Sequence, residues 1–366
     1  MRYFSNLMIF VLFQLGSTSH LLFAKTFKTA REIMQIEPTE IITRVDGTKE
    51  HGYRAKNLIA RNLFRYPIAE EGGFIGENTR IDGRRFKDHI LLLKSFVSPD
   101  AQVSGFAKLS GNVQITGKAR VSGSAHVSGN ARVLGCARVF GAAQIYGNAQ
   151  ISGYALVYGK AQVYENARVS GGAKVSGETL VYSEAQVYGN AQVYRYAHLY
   201  ENVQVYGNAR VYENSHVYGN ARIYENTQIY EDARVFGNSR VKGKSRVYGN
   251  AQISGNALVF ESARVYRSAQ VLDNAKVGGK ARVYGNALIF GKAQIIEEAQ
   301  IYGNANVYGN ALVSGLSQVY DDAYVYDDAL IWGNALVSGN EHIESEVHGV
   351  QHDISNPPMM EISVGS

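Results

Sequence analysis

Few side chains in this sequence are arranged for chemistry. Within its regular part the histidines are His126, His198 and His216, and the last two stand 18 residues apart. On a repeating scaffold that separation could align two imidazoles as ligands, but zinc sites take three or four donors with supporting partners. No carboxylate or third histidine stands on the repeats adjoining this pair, so His198 and His216 are at most weak metal candidates, and no metal or other cofactor is expected. Asp321-Asp322 and Asp327-Asp328 offer the oxygens that calcium prefers, yet six residues separate the pairs, which reads better as a solvated acidic end. Cys136, the single cysteine, has no histidine or basic residue immediately beside it to hold a reactive thiolate. The 38 glycines recur at fixed intervals and open no helix with a Lys-Ser/Thr signature, so they are not a phosphate cradle. No catalytic residue is assigned.

Tyrosine is the exception. Of 25 tyrosines, 19 directly follow an aliphatic residue at one recurrent place. Tyr194, Tyr212, Tyr230, Tyr248, Tyr266, Tyr284, Tyr302 and Tyr320 recur every 18 residues without a gap, and Arg210, Arg246, Arg264 and Arg282 stand two residues before members of that series. Tyr146, Tyr164, Tyr182, Tyr200 and Tyr218 form a second series, continued by Phe236. One reading is purely structural: aromatic pairs on neighbouring strands contribute roughly 0.2–1 kcal/mol each. The other is a binding strip, because aromatic rings present large area at low entropic cost and Arg recognises anions.

The elements that must hold these residues follow from a period of six. From Ala101 the chain reads small, variable, aliphatic, variable, turn, turn. Every sixth residue from Val103 to Ile343 is Val, Ile or Leu, 41 in succession, and the residue two places earlier is Ala in 32 of 40 cases. A spacing of two puts both on one face of a short strand, while the residues between and after them point outward. A helix cannot keep one face at this period, and Gly-Asn recurs where it would be interrupted.

Hexads such as NARVYG, NAQIYG and NALVSG resemble the hexapeptide repeat of the left-handed parallel β-helix, in which three hexads make one triangular coil. The resemblance implies an all-β, single-stranded solenoid of the left-handed type, with between 13 and 14 coils over residues 101–345. At a rung spacing of about 4.8 Å that is a prism about 65 Å long. Each 18-residue series above then becomes one column, and His198 stacks on His216. The stretch GYRAKNLIARNLFRYPIAEEGGFIGENTRI, followed by GNA-type hexads, is similar to the YdcK-like bacterial and phage repeat proteins, some of them labelled acyltransferases. Hexapeptide acyltransferases as a family place a catalytic His at a loop thrown out from the coils and usually form trimers with clefts between subunits. No loop interrupts the hexads here. The three-histidine zinc motif that also occurs on this scaffold is not visible.

The chain divides into residues 1–24, a signal peptide; 25–99, a non-repeating N-terminal cap; 100–345, the hexapeptide solenoid; and 346–366, a C-terminal cap or loose tail after which Pro357-Pro358 cannot continue a ladder. Arg2 followed by the apolar run Leu7 to Leu15 is the export signature, too short to span a bilayer, although an uncleaved anchor running to Ala24 is the alternative. One cysteine offers an oxidising compartment no intramolecular disulfide. A solenoid grows without enlarging its core, so stability must come from stacking and from covered ends. The net charge of +5 hides a gradient: residues 293–366 hold no Lys or Arg and 11 Asp or Glu.

These readings point to an exported, non-catalytic scaffold that binds an extended partner: an envelope or extracellular glycan, a protein, or another copy of itself, with a homotrimer among the arrangements. Export argues against nucleic acid, and no membrane span is expected after signal cleavage. A hexapeptide acyltransferase acting on a cell-surface sugar or small acceptor is the alternative. Ice binding is disfavoured because the outward columns are Tyr, Arg and Gln rather than ranked Thr.

Overall fold

The computed structural model describes residues 95–98 and 100–349, together with the strand backbones of Met34–Thr43, Lys49–Asn57, Phe74–Gly76, Arg80–Ile81, Arg84–Arg85 and Gln351–His352. The expected signal peptide and the Pro357-Pro358 stop lie outside the described residues. The repeat folds as a parallel β-solenoid of about 14 coils. Each hexad contributes one two-residue strand, such as Arg246–Val247, and each strand pairs in parallel with the strand 18 residues on, as Val247 pairs with Val265. Three flat sheets result. We call first the face that runs through Val103, Val121 and Val139, second the face through Leu109, Val127 and Ile145, and third the face through Ile115, Val133 and Ile151.

Every aliphatic from Val103 to Val337 and every small residue from Ala101 to Ala335 is buried, so each coil encloses three branched side chains and three small ones. Most polar exceptions at the small position satisfy themselves, whereas the buried Ser239 hydroxyl has no partner among the described residues. At Thr179, Ser215, Thr227, Ser245 and Ser317 the buried hydroxyl donates to the carbonyl three residues earlier, which leaves the side chain as compact and as satisfied as alanine.

The chain turns through a left-handed residue once per hexad. At Gly219 (φ +74) a Cβ would lie 2.7 Å from the backbone N of Gly237, the matching corner of the next coil. Thirteen corners nevertheless carry a non-glycine residue at positive φ, mostly Glu or Asp. That conformation costs an L-residue about 1–2 kcal/mol. The acidic side chains offset it by reaching along the solenoid axis. Glu213 accepts the N–H of Glu231 (3.0 Å), Asp273 that of Gly291 (3.1 Å) and Glu297 that of Gly315 (2.6 Å), each one coil on. The residue after the bend is often Asn, and on the corner after the second face the amides form ladders: Asn112, Asn130, Asn148 and Asn166 in one run, Asn202, Asn220, Asn238, Asn256 and Asn274 in another.

Both ends continue the ladder beyond the strict repeat. Phe74–Gly76, Arg80–Ile81 and Phe96–Val97 form rungs preceding the three faces, with Ile75 opposite Val103, Ile81 opposite Leu109 and Val97 opposite Ile115. Phe74–Gly76, within the stretch read as a non-repeating cap, thus already continues the first face. Lys49–Asn57 pairs antiparallel with Phe74–Gly76 and with Met34–Thr43, so the open edge of the first face is covered by a hairpin. At the other end Glu346–His348 lies on Leu330–Trp332 and Gln351–His352 on Leu336–Val337. Among the described residues no helix is long and apolar enough to cross a membrane.

Candidate binding faces

The residue after each aliphatic leaves the strand just before the corner, and neighbouring coils superpose it. On the first face Tyr194 to Tyr320 form one stack of eight rings, with centroids 4.8–5.0 Å apart and planes within 7° of parallel. On the second face Tyr146, Tyr164, Tyr182, Tyr200, Tyr218 and Phe236 form another. Sequence reasoning passed over two shorter stacks, Tyr188–Tyr206–Tyr224 on the third face and Phe290–Tyr308–Tyr326 on the second, although the same 18-residue sorting finds them. The geometry changes what such a strip can do. Ring faces are spent on each other, and the solvent meets ring edges and hydroxyls. The hydroxyls lean back across their own face: Tyr302 Oη donates to Gln318 Oε1 (3.1 Å) and Tyr146 Oη to Gln162 Oε1 (3.2 Å), each in the strand of the next coil.

Partial burial raises the phenol pKa values. Tyr230 is pushed up to about 12, first by desolvation and then by its neighbours Tyr248 and Tyr212, with Arg246 pulling the other way. Tyr212 and Tyr248 are raised for the same leading reason, and each feels nearby guanidinium groups as an opposing influence. At neutral pH Tyr212, Tyr230 and Tyr248 are therefore uncharged phenols.

Arg210, Arg246, Arg264 and Arg282 occupy the exposed mid-strand position of the first face, beside that row. Arg246, Arg264 and Arg282 are direct register partners on consecutive rungs. A wider segregation, not apparent until the corners are placed, frames them. Between residues 101 and 343 the mid-strand position carries 14 Lys or Arg and no acid, whereas every Asp and Glu except Glu341 sits at a corner.

The other candidates stay apart. His198 and His216 pack on the second face with centroids 4.6 Å apart and planes tilted by 54°. Both are shifted toward the neutral form by burial, and His216 additionally by His198 and Arg234. His126 meets Ser110 Oγ at 3.4 Å in the same column. Among the described residues no group of three or more His, Cys, Asp or Glu could hold a metal ion. Asp322 and Asp328 accept from Asn304 (2.8 Å) and Asn310 (2.9 Å) on separate corners. Cys136 is a free, partly exposed corner residue. A shallow depression beside the second face is lined by Gln144, Gln162, Leu180 and His198 and crossed by the Lys160–Glu178 ion pair.

No curated protein matches the chain. Six of its segments match the family described as the YdcK Beta solenoid repeat: residues 143–159, 161–177, 185–201, 203–219, 251–267 and 299–315. Each is close to one coil long, yet three start on the second face, two on the third and one on the first, so the hexad rather than the coil is the unit being repeated. The chain is a β-solenoid repeat protein, and in these six segments it is similar to the YdcK-type repeat.

Proposed function

We propose that the protein is an exported, non-catalytic scaffold whose first face binds an extended partner through its tyrosine and arginine columns. One observation carries this reading: the first face keeps tyrosine on eight consecutive rungs, although the core beneath is the same as on the faces where the aromatic columns break. Edge-on phenols beside guanidiniums suit hydrogen bonding to a polar, repeating partner better than stacking on sugar rings or bases. An acyltransferase would need a histidine enclosed with its acceptor, and the three repeat histidines lie in one column on an open face.

Replacing Tyr230, Tyr248 and Tyr266 together by Ser tests the reading. Ser already fills this position at Ser104 and Ser122, so the variant should fold, with about 1–4 kcal/mol lost over four ring contacts. Retention on cell-envelope fractions should fall away. A folded variant retained like the parent would leave the rings as braces alone. Acyl-CoA turnover abolished by His198→Ala without unfolding would replace binding by catalysis.

A further inference from the structure

Resting on that binding reading, we infer that the ligand of the first face is a linear acidic polysaccharide bearing a carboxylate at regular intervals. The argument begins with charges left without partners. Arg246, Arg264 and Arg282 are exposed, adjacent and in register, and none of them forms an ion pair among the described residues. Like charges directly opposite on neighbouring strands repel. Three corner cations are neutralised one coil away, Lys160 by Glu178, Arg195 by Glu213 and Lys280 by Glu298. No acid stands mid-strand on the first face to do the same for its arginines. An external anion removes the repulsion, and a guanidinium can take a carboxylate in a two-pronged hydrogen bond.

The rest of the face narrows the anion. Between Gln192 and Tyr320 its outward strand side chains are only Tyr, Arg and Gln, and the nearest acids, such as Glu213, Glu231 and Asp321, stand at the corner beyond the rings. Neutral phenols and amides supply donors and acceptors for sugar hydroxyls. Spacing separates the polymers: the rings repeat at 4.8–5.0 Å. An extended pyranose chain advances by close to one rung per sugar, so carboxylates that return to one side after a whole number of sugars stay in step with the rungs. An extended acidic peptide presents same-side carboxylates only about every 6.6 Å, out of step with the rungs. Single-stranded nucleic acid gains affinity by stacking bases on free aromatic faces, and these faces are covered.

The test uses the purified full chain with polygalacturonate, its fully methyl-esterified form, polyglutamate and oligothymidylate as probes. Polygalacturonate should bind. The ester should bind at least tenfold more weakly, and polyglutamate and oligothymidylate more weakly than polygalacturonate. Changing Arg246→Gln, Arg264→Gln and Arg282→Gln together should weaken polygalacturonate binding at least tenfold and flatten its salt dependence. Gln occupies the same column at Gln228 and Gln300, so the variant keeps the fold, which circular dichroism checks. No polygalacturonate binding, equal binding of the ester, a preference for polyglutamate or oligothymidylate, or indifference to the three substitutions would each overturn the inference. Loss of envelope retention in the tyrosine variant, with no polygalacturonate binding by the parent, would sink the polysaccharide and leave the scaffold reading standing.

Discussion

The first and third faces share one core and differ on the outside. In the coils around residue 250, Val247 and Val265 line the first face as Val241 and Val259 line the third, all fully buried. Outside, the first face runs Tyr230, Tyr248, Tyr266 and Tyr284, whereas the third runs Tyr224, Lys242, Phe260 and Gly278 and goes on to Ile296, Ser314 and Trp332. The ladder hydrogen bonds are indistinguishable: Tyr248 N–H to Val265 O is 3.0 Å and Lys242 N–H to Val259 O is 2.9 Å. The backbone and core therefore do not ask for tyrosine. A column kept for eight rungs on one face is dropped after three on another above the same kind of core and ladder.

If the interior is common to both faces, a charge buried under either should be equally ruinous. Val247→Asp on the first face and Val259→Asp on the third each place a carboxylate without a partner in a core one side chain wide. Each should cost at least about 3 kcal/mol and unfold neighbouring coils with it, seen as a lower melting temperature and as lost hydrogen-exchange protection beyond the mutated coil. A third-face variant that melted like the parent would break the equivalence on which the comparison rests.

A smaller effect separates the outsides. On the third face the ring of Phe260 lies over Gly278 and fills the space a Cβ would take there. Gly278→Ser should push that ring into solvent and cost about 1 kcal/mol, read from the denaturation midpoint. On the first face each ring stands in a stack rather than on a glycine, so a comparable substitution there removes ring pairs instead. An unchanged midpoint for Gly278→Ser would mean that Phe260 contributes no cover.

The sequence made the repeated part of this architecture legible because its signal is redundant. Forty-one aliphatics in register admit a single placement of inside and outside, and one sorting by 18 then stacks Tyr194 on Tyr212 and His198 on His216. What it concealed lies where the period is broken or the torsion angles are unusual. Ile81 and Val97 belong to successive rungs but are 16 residues apart, and Val347 follows Ile343 by four, so the terminal rungs escape a six-residue search. Glutamates at left-handed corners look like surface charge until the carboxylate of Glu213 is seen to accept the N–H of Glu231. The exposed edges of the tyrosines were equally hidden, because spacing places a ring in a column without setting its tilt.

The smallest expected effect brings in the second face, which differs from the first by carrying groups that titrate near neutrality. Burial lowers the pKa of His198 and His216 below the ordinary value of 6.5, so the folded chain takes up these protons less readily than the unfolded one. Above 6.5 both states hold neutral imidazoles and the pair contributes nothing to the pH dependence. As pH falls through 6.5 the unfolded chain binds more protons, and stability declines with it. On the first face Tyr230 is pushed up to about 12, so this ring contributes no slope between pH 5 and 8. The melting temperature should therefore drop modestly from pH 7.5 to 5.5. The double variant His198→Gln, His216→Gln should flatten part of that drop, since Gln stands in the same column at Gln162 and Gln252 without a proton to gain. His126, lowered by burial and by Lys108, adds to the drop in the same direction and is untouched by that double variant. A slope unaltered by the double substitution would place the titrating groups elsewhere, and a slope altered equally by Arg246→Gln would show that the first face is not the electrically constant surface described above.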